Sequence, residues 1–534
     1  MIKLFLGEEK DNEKLMNLTL RSNNFIYLVI ISLAAISFNF YYGLVGVFPI
    51  DSFFTYNAAF EILNGKYPFK DFWTITGPFL DFTQAIFFYI FGVNWISYIL
   101  HAALINSLLG IVVFYSFTSF GLKKEYSFFY SILVVALAYP NAGTPYVDHH
   151  SSILSIISIL IFIISIKRVN TNLWYWLPIL FFCSFLTKQS PTSYIFLIIS
   201  LFYIIFLFQQ SFVKKTFFLV VETIFILIFI FLFLYLLNIK FSDFYKQYID
   251  YPLSIGENRF QDFLFPFDFK RIFLRQKWIH LSLIPIYYLF FKSLFKEKFY
   301  LKSEFIIFGT IILSSYAFIF HQLMTINGMF IFFLIPIYAG LSQIFINKKK
   351  EIVNISLAII VALVSIYYFD KYIQSRNFMD LTKKDLKLKV DATLIHESLY
   401  PLKWVSYKSK EEDNIEVTNL VEVLNIIRNE KSKISIFTDY QFISVALNLD
   451  DNSPNKYWYD YHVYPKNNHR LYGYYRNFFI EKLKKSKIKK IFVVKPIVGD
   501  DRIVENIFTN NCFQKLKRTE ILDIYNLDEC NEIK

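Results

Sequence analysis

Between Phe25 and Phe369 the chain is a succession of apolar runs about 15–24 residues long, and no other feature limits its fold so strongly. A helix rises 1.5 Å per residue and a bilayer core is ~30 Å thick, so runs of this length read as membrane spans. Eleven qualify: 25–47, 96–119, 126–140, 150–166, 173–187, 191–209, 216–237, 278–292, 303–321, 327–346 and 352–369. The chain is 55% hydrophobic with a mean hydropathy of +0.40, which excludes an ordinary soluble domain. With 64 Phe against 15 Gly, the spans are expected to be bulky and lipid-facing rather than Gly-lined.

The formal net charge of +12 does not indicate nucleic acid, because the basic residues fall in short clusters between apolar runs and in the polar C-terminal third. Residues 1–24 are polar and of mixed charge. The following run is too long for a signal-peptide core and has no small-residue cleavage site after it, so it reads as a retained first helix. The run 79–92 is short and contains Asp81 and Gln84. If it stays in the interface, Lys123-Lys124, Lys167-Arg168, Lys214-Lys215, Lys292 to Lys302 and Lys348, Lys349 and Lys350 share one side with the N-terminus, as the positive-inside rule requires. The expected topology has the N-terminus in the cytoplasm and the C-terminus outside.

That topology gathers the polar chemistry on the outer face. The first outer loop, 48–96, opens with FPIDSFFTYNAAFEILNGKYPFKDFWTITGP. Asp51 stands just past the first span, Tyr56, Ala59 and Leu63 suggest an amphipathic surface helix over 52–64, and Gly65 and Pro68 mark a turn before Lys70, Asp71 and Trp73. An acid at a membrane boundary is by itself ordinary. The mixture of acids, lysines and aromatics around Asp51 exceeds what a connecting loop needs, and makes Asp51 the candidate catalytic residue.

The second outer segment, TPYVDHHSS, brings Asp148, His149 and His150 to the mouth of a span. Three readings stay open: Asp148 and His149 ligate a divalent metal such as Mg²⁺ or Mn²⁺, the histidines orient a carboxylate or bind phosphate, or all are interface residues. In LTKQSPT, Lys188 and Gln189 lie outside, where a lysine runs against the charge rule. Lys188 either holds an anionic headgroup or snorkels. The long loop 238–277 reads as solvated, though Arg259 is suited to gripping phosphate. His321 and Gln322 end a further span on the same side.

After Asp370 the chain turns polar. ISIFTD (434–439), KKIFVVK (489–495) and ILDIYNL (521–527) read as buried strands, and 416–430 and 475–487 as helices. Of three cysteines, only Cys512 and Cys530 are placed to pair. The expected fold class is thus a polytopic all-α membrane protein of about eleven transmembrane helices with a small C-terminal α/β extracytoplasmic domain. Its parts are a cytoplasmic segment 1–24, a transmembrane module 25–370 and a soluble periplasmic domain 371–534.

The order of these features resembles the GT-C superfamily of polyprenyl-phosphate-dependent membrane glycosyltransferases, which includes protein O-mannosyltransferases, aminoarabinose transferases and lipopolysaccharide-core sugar transferases. The resemblance rests on Asp51 after the first span, ILNGKYPFKDFWTITGPFLDF (62–82), FG at 91–92 and Asp148 in the second outer loop, and covers roughly residues 25–210. It implies a bacterial inner-membrane enzyme that moves a sugar from a polyprenyl-phosphate donor to a glycan, lipid or protein acceptor. Asp51 would be the general base, Asp148 a metal or acceptor residue and Lys70 a phosphate contact. The residues agree with that chemistry: inversion needs one carboxylate to take the acceptor proton and cations, such as Lys188 and Arg259, beside the leaving phosphate. Aromatics such as Tyr56 suit stacking on sugar or polyprenol. Two rivals remain, a transporter or flippase of lipid-linked sugars and a lipid-linked glycan polymerase or ligase. A flippase is expected to carry ionisable residues near mid-membrane, whereas the acids and histidines singled out here stand at span ends.

Overall fold

The computed structural model describes residues 22–210, 212–262, 269–325, 330–346, 351–408, 415–459, 462–495, 497, 502–508, 512–528 and 530. Most of the segment 1–24 and the lysines at 348–350 lie outside the described residues. The chain divides into two compact units. One comprises Met1–Gly43, Ala102–Ile230 and Phe263–Phe378, and the other Leu44–His101, Phe231–Asp262 and Met379–Lys534.

Each of the eleven apolar runs contains a helix, and so does 79–92 (Pro78–Phe91). Among the described residues, seven helices are long and apolar enough to cross a membrane: Asn24–Gly43, Trp95–Ser119, Val147–Lys167, Thr192–Gln209, Val213–Leu236, Ser303–Met324 and Glu351–Met379. The other four runs form Lys124–Leu137, Trp176–Phe185, Leu334–Phe345 and the less apolar Lys277–Leu294. A 14-residue helix covers only ~21 Å, which is why runs that look alike in sequence separate here.

In the first unit, Val147–Lys167 is the central helix, its span buried throughout. Its serines allow close packing and act as polar glue in an apolar setting. Ser155 Oγ lies 3.1 Å from Ser184 Oγ, which donates to the Ser151 carbonyl at 3.0 Å and lies 2.6 Å from Thr192 Oγ1. Gly143, at φ +77°, faces Gly43 so closely that a Cβ would lie 2.6 Å from its backbone. Helix ends carry the charges. At the Lys167 end, Lys167 donates to the Phe120 carbonyl (3.3 Å), Lys123 pairs with Glu351 (2.9 Å) and Lys215 donates to the Val169 carbonyl (3.1 Å). The connectors expected to share one side therefore do meet at one end. Asp148, in the first turn of the same 21-residue helix, stands at the opposite end.

In the second unit, β1 (Val390–Asp391) and β2 (Lys403–Trp404) form a small antiparallel pair. The main sheet is built from β3 (Ile434–Thr438), β4 (Lys490–Val494), β5 (Gln514–Lys517) and β6 (Leu522–Asn526), in the order β3-β4-β6-β5. β3 and β4 run parallel, the other pairs antiparallel. The expected helices are Ile415–Arg428 and Tyr472–Lys485, and Cys512 and Cys530 form a disulfide.

The α/β region shares its unit with Leu44–His101 and Phe231–Asp262. Trp73 is buried in its core with Tyr251, Phe437 and Tyr475, and donates through Nε1 to the Val463 carbonyl at 2.8 Å. The helix expected over 52–64 forms as Phe54–Leu63, but all of it except Leu63 is buried, so it is an interior helix rather than a surface one. The segment read as a loop from 238 is helical through Phe241–Phe244, Tyr245–Asp250 and Tyr251–Asp262. Pro252 follows directly on the π-helical turn Tyr245–Asp250 within this continuous helical stretch, where it has no N–H to donate.

Candidate functional site

The helical unit brings three span-end residues into one cluster. Asp148 and His321, from the first turn of one helix and the last turn of another, are almost wholly buried. Lys188 comes from the short turn ahead of Thr192–Gln209. Asp148 Oδ1 accepts from Lys188 Nζ at 2.5 Å and lies 3.1 Å from His321 Nε2. Of the three, only Lys188 keeps an appreciable part of its side chain exposed, 21% against 2% and 1%. The cluster therefore offers an ammonium group backed by a buried carboxylate, an arrangement suited to receiving an anion.

The neighbouring histidines point into other surroundings, as consecutive helical residues must. His149 Nε2 lies 3.2 Å from Asn141 Nδ2, and its ring packs among Tyr139, Tyr146, Phe330 and Phe378. His150 Nδ1 lies 2.5 Å from the Tyr139 hydroxyl. The Gln189 carbonyl accepts from the Ser193 backbone N–H at 2.9 Å. This donor set does not fit the divalent metal considered for Asp148 and His149. The carboxylate oxygen is shared by an ammonium and an imidazole, and the two residues have separate neighbours. Among the described residues no group of three or more His, Cys, Asp or Glu could hold a metal ion.

In the second unit, Asp51 is partly buried in the four-residue helix Pro49–Ser52, and its Oδ1 accepts from the Tyr457 hydroxyl at 2.6 Å. Phe54 packs edge-on against the same tyrosine. The other candidates from this loop have separate neighbours. Lys70 donates to the Leu237 carbonyl at 3.0 Å. Asp71 pairs with Lys482 at 2.8 Å and accepts from the Tyr67 backbone at 2.9 Å. Tyr56 is fully buried against Phe88, Trp95 and Tyr98, the contacts of a core aromatic. The side chain of Arg259 lies outside the described residues.

Sequence reasoning passed over a second ion cluster in this unit. Glu61, Lys456 and Asp451 are all buried, and Lys456 Nζ lies 3.1 Å from both carboxylates. Lys66 adds contacts to Glu61 (3.3 Å) and Asp450 (2.6 Å). Burial would pull the Lys456 ammonium down, but Asp451 and Glu61 outweigh it and hold the group above its ordinary range. Lys482, by contrast, is lowered by burial despite Asp71. Tyr457, Lys456 and Lys482 each have a partner in the first outer segment 395–411 positions away, Asp51, Glu61 and Asp71, which local spacing does not reveal.

These features define a multi-pass membrane protein whose helical unit carries a charged cluster at one end, accompanied by a mixed α/β unit. No family model matches the chain, and no curated protein matches it at a significant level.

Proposed function

We propose that the protein is an inverting glycosyltransferase that moves a sugar from a polyprenyl-phosphate donor to an acceptor hydroxyl, with Asp51 as general base. The Asp148–Lys188–His321 cluster carries this reading: a buried carboxylate held by a lysine and a histidine from separate segments is more than a span boundary needs, and the exposed member is the cation a phosphate leaving group requires. In the reaction the acceptor oxygen attacks the anomeric carbon as its proton passes to Asp51. The sugar–phosphate bond breaks and polyprenyl phosphate departs. The Cys512–Cys530 disulfide agrees with an oxidising, periplasmic setting for the α/β unit and with a bacterial inner-membrane location.

The test is transfer of labelled sugar from a panel of polyprenyl-phosphate sugars by the purified protein in liposomes, with glycan, lipid and protein acceptors. Asp51→Asn should lower the rate about 10²–10⁴-fold. An unchanged rate removes Asp51 from the mechanism, and no transfer from any donor removes the assignment. The flippase is the second reading, and Glu222, an acid within the span Val213–Leu236, favours it. Translocation of a fluorescent lipid-linked sugar without transfer would establish that reading instead.

A further inference from the structure

Among the described residues of the seven candidate spans, Glu222 is the one Asp, Glu, Lys or Arg within about three residues of its span's midpoint. That helix is the most apolar of the seven and the least covered. Only 6% of an 18-residue apolar stretch of it is buried, against all of the corresponding stretch of Val147–Lys167. Glu222 Oε2 is buried with no hydrogen-bond partner among the described residues. In a bilayer interior neither water nor lipid tails satisfy a carboxyl, so this group needs a partner.

We propose that a second copy of this chain packs against Val213–Leu236, with the two Glu222 carboxyls hydrogen-bonded to each other. No described residue of the seven spans places a cation so near the midpoint, the nearest being Lys371, about six residues from the centre of Glu351–Met379, so neither this chain nor a head-to-tail neighbour matches Glu222 in depth. A carboxyl with its proton both donates and accepts, so it is self-complementary, and a two-fold interface sets a residue on its axis against itself. Phe218, Phe225 and Phe229 share the face of Glu222 at spacings of four, three and four, the seam of a left-handed helix pair, and all three are exposed. The proposal does not rest on the glycosyltransferase reading.

The experiment counts subunits by single-molecule photobleaching of the labelled full chain in liposomes of bacterial phospholipid, over a range of protein-to-lipid ratios. Wild type should be dimeric, Glu222→Gln should stay so, because the amide also donates and accepts, and Glu222→Leu should weaken dimerisation roughly tenfold. Leucine on an exposed apolar helix leaves folding intact. Oxidative cross-linking in a Cys183→Ser background should join Phe225→Cys chains and spare Val220→Cys, about 140° away around the helix. A monomeric wild type, equal dimerisation of Glu222→Leu, or equal cross-linking at both positions overturns the proposal. So does a different membrane protein that co-purifies in fixed ratio and is lost with Glu222→Leu.

Discussion

Each unit holds a buried carboxylate gripped by a lysine, yet the two clusters differ where it matters. In the helical unit Lys188 leaves 21% of its side chain exposed behind a buried Asp148. In the α/β unit Lys456 leaves 1%, enclosed by Glu61 and Asp451, and Asp451 also accepts the Ile436 backbone N–H at 3.1 Å. The first cluster presents a charge outward, whereas in the second Lys456 is enclosed and fastens the helix Phe54–Leu63 to the sheet region. Exposure of the cation, rather than the presence of an ion pair, separates a candidate site from a fastener.

The sharpest way to break this comparison is Lys456→Met, which strands two buried carboxylates and should cost about 3–5 kcal/mol. Thermal unfolding of the purified protein measures it. Converting Glu61 and Asp451 to apolar residues as well should recover much of the loss, and a single-mutant cost under ~1 kcal/mol would refute the fastener role. Lys188→Met should act in the opposite sense. Transfer should fall about 10²–10³-fold in the liposome assay, while unfolding shifts by only ~1–2 kcal/mol because His321 still holds Asp148. Equal stability losses for the two lysines would erase the distinction.

Tyr457→Phe removes the hydroxyl from Asp51 but leaves the carboxylate, so kcat should fall about tenfold, less than with Asp51→Asn. The smallest effect belongs to Glu430, half-buried against Lys490 at 2.8 Å. Burial raises its carboxyl, but the hydrogen bonds of Lys490 and Ser432 prevail and bring it down to about 2 from 4.5. A depressed acid stabilises the fold above its unfolded value and loses that contribution as pH drops towards the folded one. The gap between wild type and Glu430→Gln, below about 1 kcal/mol for so accessible a pair, should therefore close between pH ~4.5 and ~2 in unfolding scans.

What could be read from the sequence follows the same divide. The strands Ile434–Thr438, Lys490–Val494 and Leu522–Asn526 showed as short apolar runs because they are buried, while Gln514–Lys517, an exposed edge strand, has no such pattern. Lys188 was visible because in the expected topology it breaks the charge rule, and Asp148 because it stands at a span mouth. Asp71 and Tyr56 looked similar on local grounds. Their roles are set by Lys482 and by Phe88, Trp95 and Tyr98, which sequence spacing does not bring together. Seven of the eleven runs form helices long and apolar enough to cross a membrane, and an apolar run does not by itself reveal how much of it stays helical.

The salt links between Glu61 and Lys456 also set a timetable. These residues are 395 positions apart, so at 5–20 residues per second the ribosome needs about 20–80 s between making one and the other. Throughout that interval the helix Phe54–Leu63 and the Trp73 indole, both interior in the finished protein, have no sheet to pack against. A nascent chain of this kind depends on whatever shelters residues 54–73 until the last third arrives.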